Sequence, residues 1–186
     1  MAATSSNMLE LGTPMPQFGL TDARTGSIVT SDELVGGPAT VVTFICNHCP
    51  YVKHIREGLA QFGRFCETQG VKLVAINSND VDNYPADAPP RMAEEAESAG
   101  YSFPYLFDET QAVARAFRAA CTPEFYIFDG ECRLAYRGQF DDSRPGNGKR
   151  VTGHDVRAAV EALCRGDRPA FDQTPSVGCS IKWKAQ

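Results

Sequence analysis

The chain has 186 residues, of which 42% are hydrophobic and 22% charged, and its formal net charge is −5. This length is enough for one domain with a substantial core and leaves little room for a second. The acidic balance gives no reason to expect nucleic acid or an anionic membrane as a partner, and no apolar run is long enough to cross a membrane.

The chain contains seven cysteines. Because seven is odd, at least one is unpaired within the chain, and in a reducing compartment most should be free thiols. The first ten residues lack a basic segment followed by an apolar one, so they do not resemble a secretory signal. We therefore expect a cytoplasmic protein in which a disulfide is more often catalytic than structural.

The sequence divides into a loose N-terminal arm (1–15), a folded domain (16–166) and a C-terminal tail (167–186). Alternation of strands and helices, followed by a hairpin and a helix, predicts a mixed sheet with helices on both faces. The hydrophobic period and the turn residues predict the elements in chain order. The first half has two short strands around a turn at 22–26, a helical turn at 31–37, a strand at 39–45, a helix at 50–68 and a strand at 72–77. The second half has a helix at 91–98, a strand at 103–107, a helix from 108 to about 119, a hairpin at 124–138 and a helix at 153–165.

A Cys-x-x-Cys motif, Cys46-Asn-His-Cys49, lies where the buried strand turns into the first long helix. Pro50 fits the first helical position, which makes Cys49 the N-cap. A helix N-terminus has unpaired N–H groups and a partial positive charge, and both favour a thiolate over a thiol. The motif therefore predicts thiol–disulfide exchange or thiol-based peroxide reduction.

Three further patterns predict local structure. Asp108-Glu-Thr-Gln111 is typical of a helix cap with its reciprocal partner, and Asp129-Gly130 of a tight hairpin turn. The loop over residues 78–90 is rich in Asn, Asp and Pro and longer than most loops, which indicates a rim around a site.

Four segments are similar to parts of a known family: Pro14–Leu20, Val41–Pro50, Cys121-Thr122-Pro123 and Glu124–Gly138. They resemble the thioredoxin superfamily and, within it, the peroxiredoxin-like branch related to alkyl hydroperoxide reductase C and thiol-specific antioxidant proteins. Two further segments, Phe44–Val52 and Gly178–Lys184, resemble a subgroup of that branch. The resemblance covers residues 14–166 and part of the tail. It implies a thioredoxin-like α/β fold, with a central mixed β-sheet flanked by helices, an N-terminal β-hairpin and an extended C-terminal tail.

The resemblance also implies that Pro123 is cis and lies beside the cysteine pair, where its missing N–H leaves the Thr122 backbone free to pair with a substrate strand. The alternative is a strand-edge proline in a turn. The sequence departs from true peroxiredoxins at two places. Cys46 replaces their threonine three residues before the peroxidatic position, and their arginine just before the hairpin is absent. These departures favour disulfide exchange over peroxide reduction.

Either cysteine of the motif is a candidate nucleophile. The usual Cys-x-x-Cys order favours Cys46, whereas the helix register favours Cys49, which we prefer. His48 is interpreted as a thiolate-stabilising or proton-shuttling residue, or else as an exposed loop histidine. Cys121 and Cys179 are possible third redox thiols, with packing roles as the alternative.

The leading functional hypothesis is a thiol–disulfide oxidoreductase that needs no cofactor. Its partners are a disulfide-containing protein and a thiol reductant such as a thioredoxin or glutathione system. The first alternative is an antioxidant thiol peroxidase that takes a peroxide substrate. The second is a metal-binding protein, with Cys46, Cys49 and Cys121 joined by His48 or Cys179 as ligands.

Overall fold

A computed structural model describes residues 3–185 of the chain. Within that range, short 3-10 turns occupy Ser31–Leu34 and Pro85–Asp87. The strands and helices are β1 (Ala3–Ser5), β2 (Gly19–Asp22), β3 (Ile28–Thr30), β4 (Ala39–Phe44), α1 (Pro50–Thr68), β5 (Lys72–Asn77), α2 (Pro89–Ala99), β6 (Tyr105–Phe107), α3 (Ala112–Ala116), β7 (Cys121–Thr122), β8 (Glu124–Asp129), β9 (Leu134–Gly138), α4 (His154–Cys164) and β10 (Val177–Ser180).

The main sheet has seven strands in the order β3-β2-β6-β5-β4-β8-β9. Strand β4 is central and buried along its whole length, and it pairs in parallel with β5 and antiparallel with β8. Residues of α1, α2 and α4 form the core on one face of the sheet, and residues of α3 and the N-terminal segment form the core on the other. This is the thioredoxin-like fold, with its N-terminal hairpin of β2 and β3, that the sequence predicts.

Helix α1 shows why this part of the fold follows directly from sequence. It begins at Pro50, which lacks a backbone N–H. Since an N–H at the first helical position has no acceptor within the helix, proline costs no hydrogen bond there. The apolar side chains spaced three and four residues apart all face the sheet and are buried. Burial of each Val, Ile, Leu or Phe side chain stabilises the fold by about 1.5–3 kcal/mol, so the face that α1 presents to the sheet is fixed. The buried residues at this spacing are Val52, Ile55, Leu59, Phe62 and Cys66.

Two local predictions are wrong. Helix α3 ends at Ala116 rather than near residue 119, because Arg118 adopts a left-handed conformation with φ 54°. The Asp108 carboxylate accepts hydrogen bonds from the first turn of α3, but Gln111 does not reciprocate. In contrast, the hairpin turn predicted at Asp129-Gly130 is present: the Cys132 N–H donates to the Asp129 carbonyl oxygen at 2.9 Å, and β8 and β9 pair antiparallel on either side of the turn.

The N-terminal arm and the C-terminal tail are also more ordered than predicted. Strand β10 lies between β1 and β7 in a separate three-stranded sheet, and all its pairings are antiparallel. Leu9 of the arm and Ile181 of the tail are buried in the same cluster on one face of the main sheet. The apolar burial and the strand hydrogen bonds compensate for the conformational entropy that ordering the two ends costs.

Candidate active site

The two cysteines of the motif lie side by side beneath the Thr122–Pro123 peptide bond. Cys46 follows β4, and Cys49 is the N-cap of α1, as predicted. The Thr122–Pro123 bond is cis, which also agrees with the prediction. The Cys46 Sγ lies 3.4 Å from the Thr122 Oγ1, and the Cys49 Sγ lies 3.2 Å from the Thr122 carbonyl oxygen, to which it donates when protonated. Three of the predicted site residues, Cys46, Cys49 and Thr122, are therefore in contact, and Pro123 follows Thr122 directly.

The surroundings of the two sulfurs act on their pKa values in opposite directions. The pKa of Cys49 is held well below its usual range, first by a hydrogen bond from the Cys46 thiol and then by the Cys179 thiol and backbone N–H groups, although burial opposes them. The pKa of Cys46 is raised by that same hydrogen bond to Cys49, by burial and by the negative charge of Asp87. The arrangement therefore favours a Cys49 thiolate that is hydrogen-bonded by a Cys46 thiol.

The buried carboxylate of Asp87 organises the turn between the two cysteines. Its Oδ1 accepts the backbone N–H groups of Asn47 and His48 at 2.8 and 3.3 Å. Its Oδ2 lies 2.6 Å from the His48 Nδ1 and accepts from the Asn79 side chain at 2.8 Å. Burial raises the pKa of this carboxyl, but the hydrogen bonds from His48 and Asn79 outweigh it and leave the pKa lowered. Asp87 is therefore an ionised anchor for the motif.

His48 lies at the rim of the site. Its ring stacks on Tyr84 with a centroid separation of 5.3 Å, while its Nε2 is buried and has no hydrogen-bond partner. Ligand atoms of Cys46, His48 and Asp87 lie within 4.8 Å of one another. Over residues 3–185 this is the one group of three such side chains, and the predicted metal set containing Cys49 and Cys121 does not assemble.

The two further candidate thiols occupy different places. Cys179 of β10 is opposite Thr122 in the strand register, and its thiol contacts Cys49. Cys121 points instead toward the Glu124 carboxylate, with the sulfur 3.8 Å from the Oε2, and burial raises the pKa of this thiol. Of the two, only Cys179 faces the Cys49 sulfur.

Sequence reasoning missed the roles of Asp87 and Glu124. Asp87 belongs to the loop that was predicted to rim the site, but one aspartate among several in that loop had nothing to distinguish it. The available signal was the polar run after β5, because the carboxyl ends of the neighbouring parallel strands β4 and β5 meet at one edge of the sheet. Glu124 follows the cis proline and accepts the N–H groups of Ala120 and Cys121, which orients this loop.

The profile of the AhpC/TSA family matches residues 11–137, a span that includes the Cys-x-x-Cys motif, Thr122 and Pro123. The chain belongs to the AhpC/TSA family. A comparison with curated protein sequences gives no match. Family membership therefore agrees with the peroxiredoxin-like resemblance of the sequence.

Three solved structures resemble the chain over most of its length. An uncharacterized conserved protein from Geobacillus kaustophilus is 52% identical with a TM-score of 0.98, covering 100% of this chain and 98% of that chain. A hypothetical protein from Sinorhizobium meliloti is 50% identical with a TM-score of 0.96, covering 98% and 100%. A thiol:disulfide interchange protein of the thioredoxin family from Chlorobium tepidum is 19% identical with a TM-score of 0.63, covering 83% and 98%. This last likeness shows the thioredoxin-like fold alone.

Proposed function

We propose that this AhpC/TSA family member is a thiol–disulfide oxidoreductase in which Cys49 is the nucleophile and Cys46 its partner. The observation that carries the proposal is the position of the Cys49 sulfur. It lies at the N-terminus of α1, beside the Thr122–Pro123 bond, and receives a hydrogen bond from a second thiol. A helix N-terminus and a donating thiol both stabilise the thiolate, which is the reactive form.

The exchange proceeds in two displacements. The Cys49 thiolate attacks one sulfur of a substrate disulfide, forms a mixed disulfide and releases the other sulfur as a thiolate. The Cys46 thiol then loses its proton and attacks the Cys49 sulfur, which releases the second substrate thiolate and leaves a Cys46–Cys49 disulfide. Two protein thiols are oxidised and one substrate disulfide is reduced. A thioredoxin or glutathione system restores the thiols.

The second displacement requires a change in Cys46, whose pKa is raised in the resting protein. The largest cause of that rise is its hydrogen bond to Cys49, and this acceptor disappears once Cys49 is in a mixed disulfide. A ring nitrogen of His48, whose ring Asp87 holds, lies within 4.8 Å of the Cys46 sulfur and takes the proton directly after a small approach or through one water. Asp87 is thus a positioning residue, and His48 is the proposed proton acceptor.

Peroxide reduction is the second candidate, and membership of the AhpC/TSA family favours it. In that reaction the Cys49 thiolate attacks one peroxide oxygen, the O–O bond breaks, and the other oxygen takes up a proton and leaves as an alcohol or water. The resulting Cys49 sulfenic acid condenses with the thiol of Cys46 or Cys179, which forms a disulfide and releases water. Trapping of a Cys49 sulfenate after peroxide treatment separates the two functions. Metal binding by Cys46, His48 and Asp87 is a third candidate because of their proximity, and elemental analysis of the purified protein tests it.

The decisive experiment for disulfide exchange is capture of the mixed disulfide. The Cys46→Ser/Cys179→Ser variant lacks both thiols that contact Cys49. It is incubated with glutathione disulfide, and the masses of its cysteine-containing peptides are measured by mass spectrometry. We expect one glutathione on Cys49. The matched control, Cys49→Ser/Cys179→Ser, keeps Cys46 and should acquire glutathione far more slowly. Faster labelling of Cys46 in the control reverses the assignment, and labelling of neither cysteine ends the proposal.

We propose a cytoplasmic location, where cellular reductants keep thiols reduced. Among residues 3–185 no helix combines the length and apolarity needed to span a bilayer. The location is tested by fractionating cells and measuring the redox state of Cys46 and Cys49 in each fraction. Recovery in an oxidising compartment with the pair mainly as a disulfide contradicts it.

A further inference from the structure

The edge of β7 beside the cis proline, where a substrate strand was expected to pair, is occupied by the C-terminal tail of the same chain. Strand β10 pairs antiparallel with β7, so that Cys179 is opposite Thr122 and Ser180 is opposite Cys121. Just beyond, the N–H of Ile181 donates to the Ala120 carbonyl at 3.1 Å. The backbone of Thr122, which was expected to be free for a substrate strand, is therefore paired within the molecule.

The fit between β10 and this edge leaves no space. A Cβ built on Gly178 would lie 1.9 Å from the Thr122 carbonyl oxygen, so only glycine is compatible with the docked strand. Beneath it, Cys49 is 0% exposed and Cys46 is 1% exposed. An external protein strand has no route to the Cys49 sulfur while β10 is in place.

The tail is held by contacts that lie mostly outside the site. The N–H of Lys182 donates to the Asn79 side chain at 2.8 Å, and the Gln111 amide donates to the Lys182 carbonyl at 2.8 Å. Ile181 is buried. However, β10 is only four residues long, and its strand pairing consists of two register pairs with β7 and three with β1. A short terminal strand of this kind opens locally without global unfolding.

We propose that β10 is a displaceable cover, and that an extended segment of a protein disulfide takes its place on β7. The inference rests on the function proposed above, and it names the partner of that site. The cover shows the shape that such a segment needs: an extended strand, antiparallel to Cys121–Thr122, with a cysteine facing Cys49. A substrate segment in the register of β10 avoids contact with the Thr122 carbonyl oxygen if glycine precedes that cysteine, and a segment with a side chain there has to lie farther from β7.

The test uses Gly178→Ala, which pushes β10 away from the Thr122 carbonyl. Gly19→Ala is the matched control, because a Cβ there meets only side-chain atoms at 3.7 Å. The reduced full-length proteins are treated with iodoacetamide at constant pH, and the alkylation rate of each cysteine is read by peptide mass. We expect the Cys49 rate to rise roughly tenfold or more in Gly178→Ala, and to stay unchanged in Gly19→Ala.

A second variant covers the case in which Gly178→Ala fails to fold. Ile181→Ala removes a buried anchor of the tail without touching the cysteine pair, and it should also accelerate alkylation of Cys49. Cys132, in the loop between β8 and β9, is the internal reference and should react equally in all variants. If Cys49 of the unmodified protein already reacts as fast as in the folded variants, β10 is not a cover.

Failure of this inference is distinguishable from failure of the proposed function. Reduction of insulin disulfides is measured in parallel and should accelerate in Gly178→Ala. If Cys49 becomes accessible but no variant reduces a disulfide, the cover stands and the oxidoreductase proposal falls. If glutathione is captured on Cys49 as expected while alkylation and insulin reduction are unchanged in both tail variants, the oxidoreductase proposal stands and the cover falls.

Discussion

The surroundings of Cys46 and Cys49 differ in the groups that act on each sulfur, although the two cysteines are only three positions apart. Around Cys46 the structure places a buried carboxylate, Asp87, and the ring of His48. Around Cys49 it places a helix N-terminus, two donating thiols and backbone N–H groups. Both sulfurs are equally buried. Burial alone therefore does not decide which cysteine is the thiolate, whereas the donors and charges around each one do.

The largest expected effect comes from removing one sulfur at a time. We expect Cys49→Ser to lose disulfide reduction by roughly 100-fold or more, because no other thiol there is stabilised as a thiolate. Cys46→Ser should keep the first displacement and release one equivalent of substrate thiol in a burst. Stopped-flow measurement of released thiol checks both. A burst from Cys49→Ser contradicts the assignment of the nucleophile.

The next largest effect concerns the stability that Asp87 contributes. Asp87→Asn keeps the size of the side chain but replaces an acceptor with a donor facing the Asn79 amide, so we expect a loss of about 1–3 kcal/mol of unfolding free energy at pH 7. The folded-state pKa of Asp87 is lowered, so its contribution is present above the unfolded pKa and disappears as pH falls through the folded pKa. The stability difference between the two proteins should therefore shrink in acid.

Urea unfolding at several pH values measures this difference. Asp82→Asn is a suitable control, because Asp82 belongs to the same loop but not to the hydrogen bonds around the motif. A stability difference for Asp87→Asn that stays constant from neutral to acidic pH contradicts an ionised Asp87.

The third effect is on the reactivity of Cys49 itself. Cys46→Ala removes the hydrogen bond that is the main cause of the lowered Cys49 pKa, so the pH profile of Cys49 alkylation should move to higher pH. Measurement of the alkylation rate from pH 4 to pH 9 gives the apparent pKa in each protein. Cys66→Ala, in the core of α1, is the control and should leave the profile in place.

The smallest effect is expected from Cys179→Ala. This substitution removes a weaker donor to Cys49, so the pH profile should move in the same direction as in Cys46→Ala, but less. The same alkylation series measures it. A larger shift than in Cys46→Ala would mean that the tail, rather than the motif, controls the thiolate.

The fold and the center of the site could be predicted because their signals are local. Pro50 marks the start of α1, the apolar period marks its buried face, and the resemblance around Pro123 implies the cis bond. The docking of β10 could not be predicted in this way. It pairs with β1 and β7, which have three and two residues. Strands this short do not show the alternation of apolar and polar residues from which a strand is predicted. Asp87 was missed because its role depends on contacts across 39 and 40 positions in sequence.

The pairing of β1 with β10 joins the two ends of the chain in one small sheet. Three residue pairs connect them, and Ser6 and Ser176 continue the contact through hydrogen bonds. Proteolytic trimming of the first few residues would strip β10 of one of its two neighbouring strands. Removal of Ala3–Ser5 is therefore expected to favour the proposed displacement of β10, because β10 then keeps β7 as its one neighbouring strand.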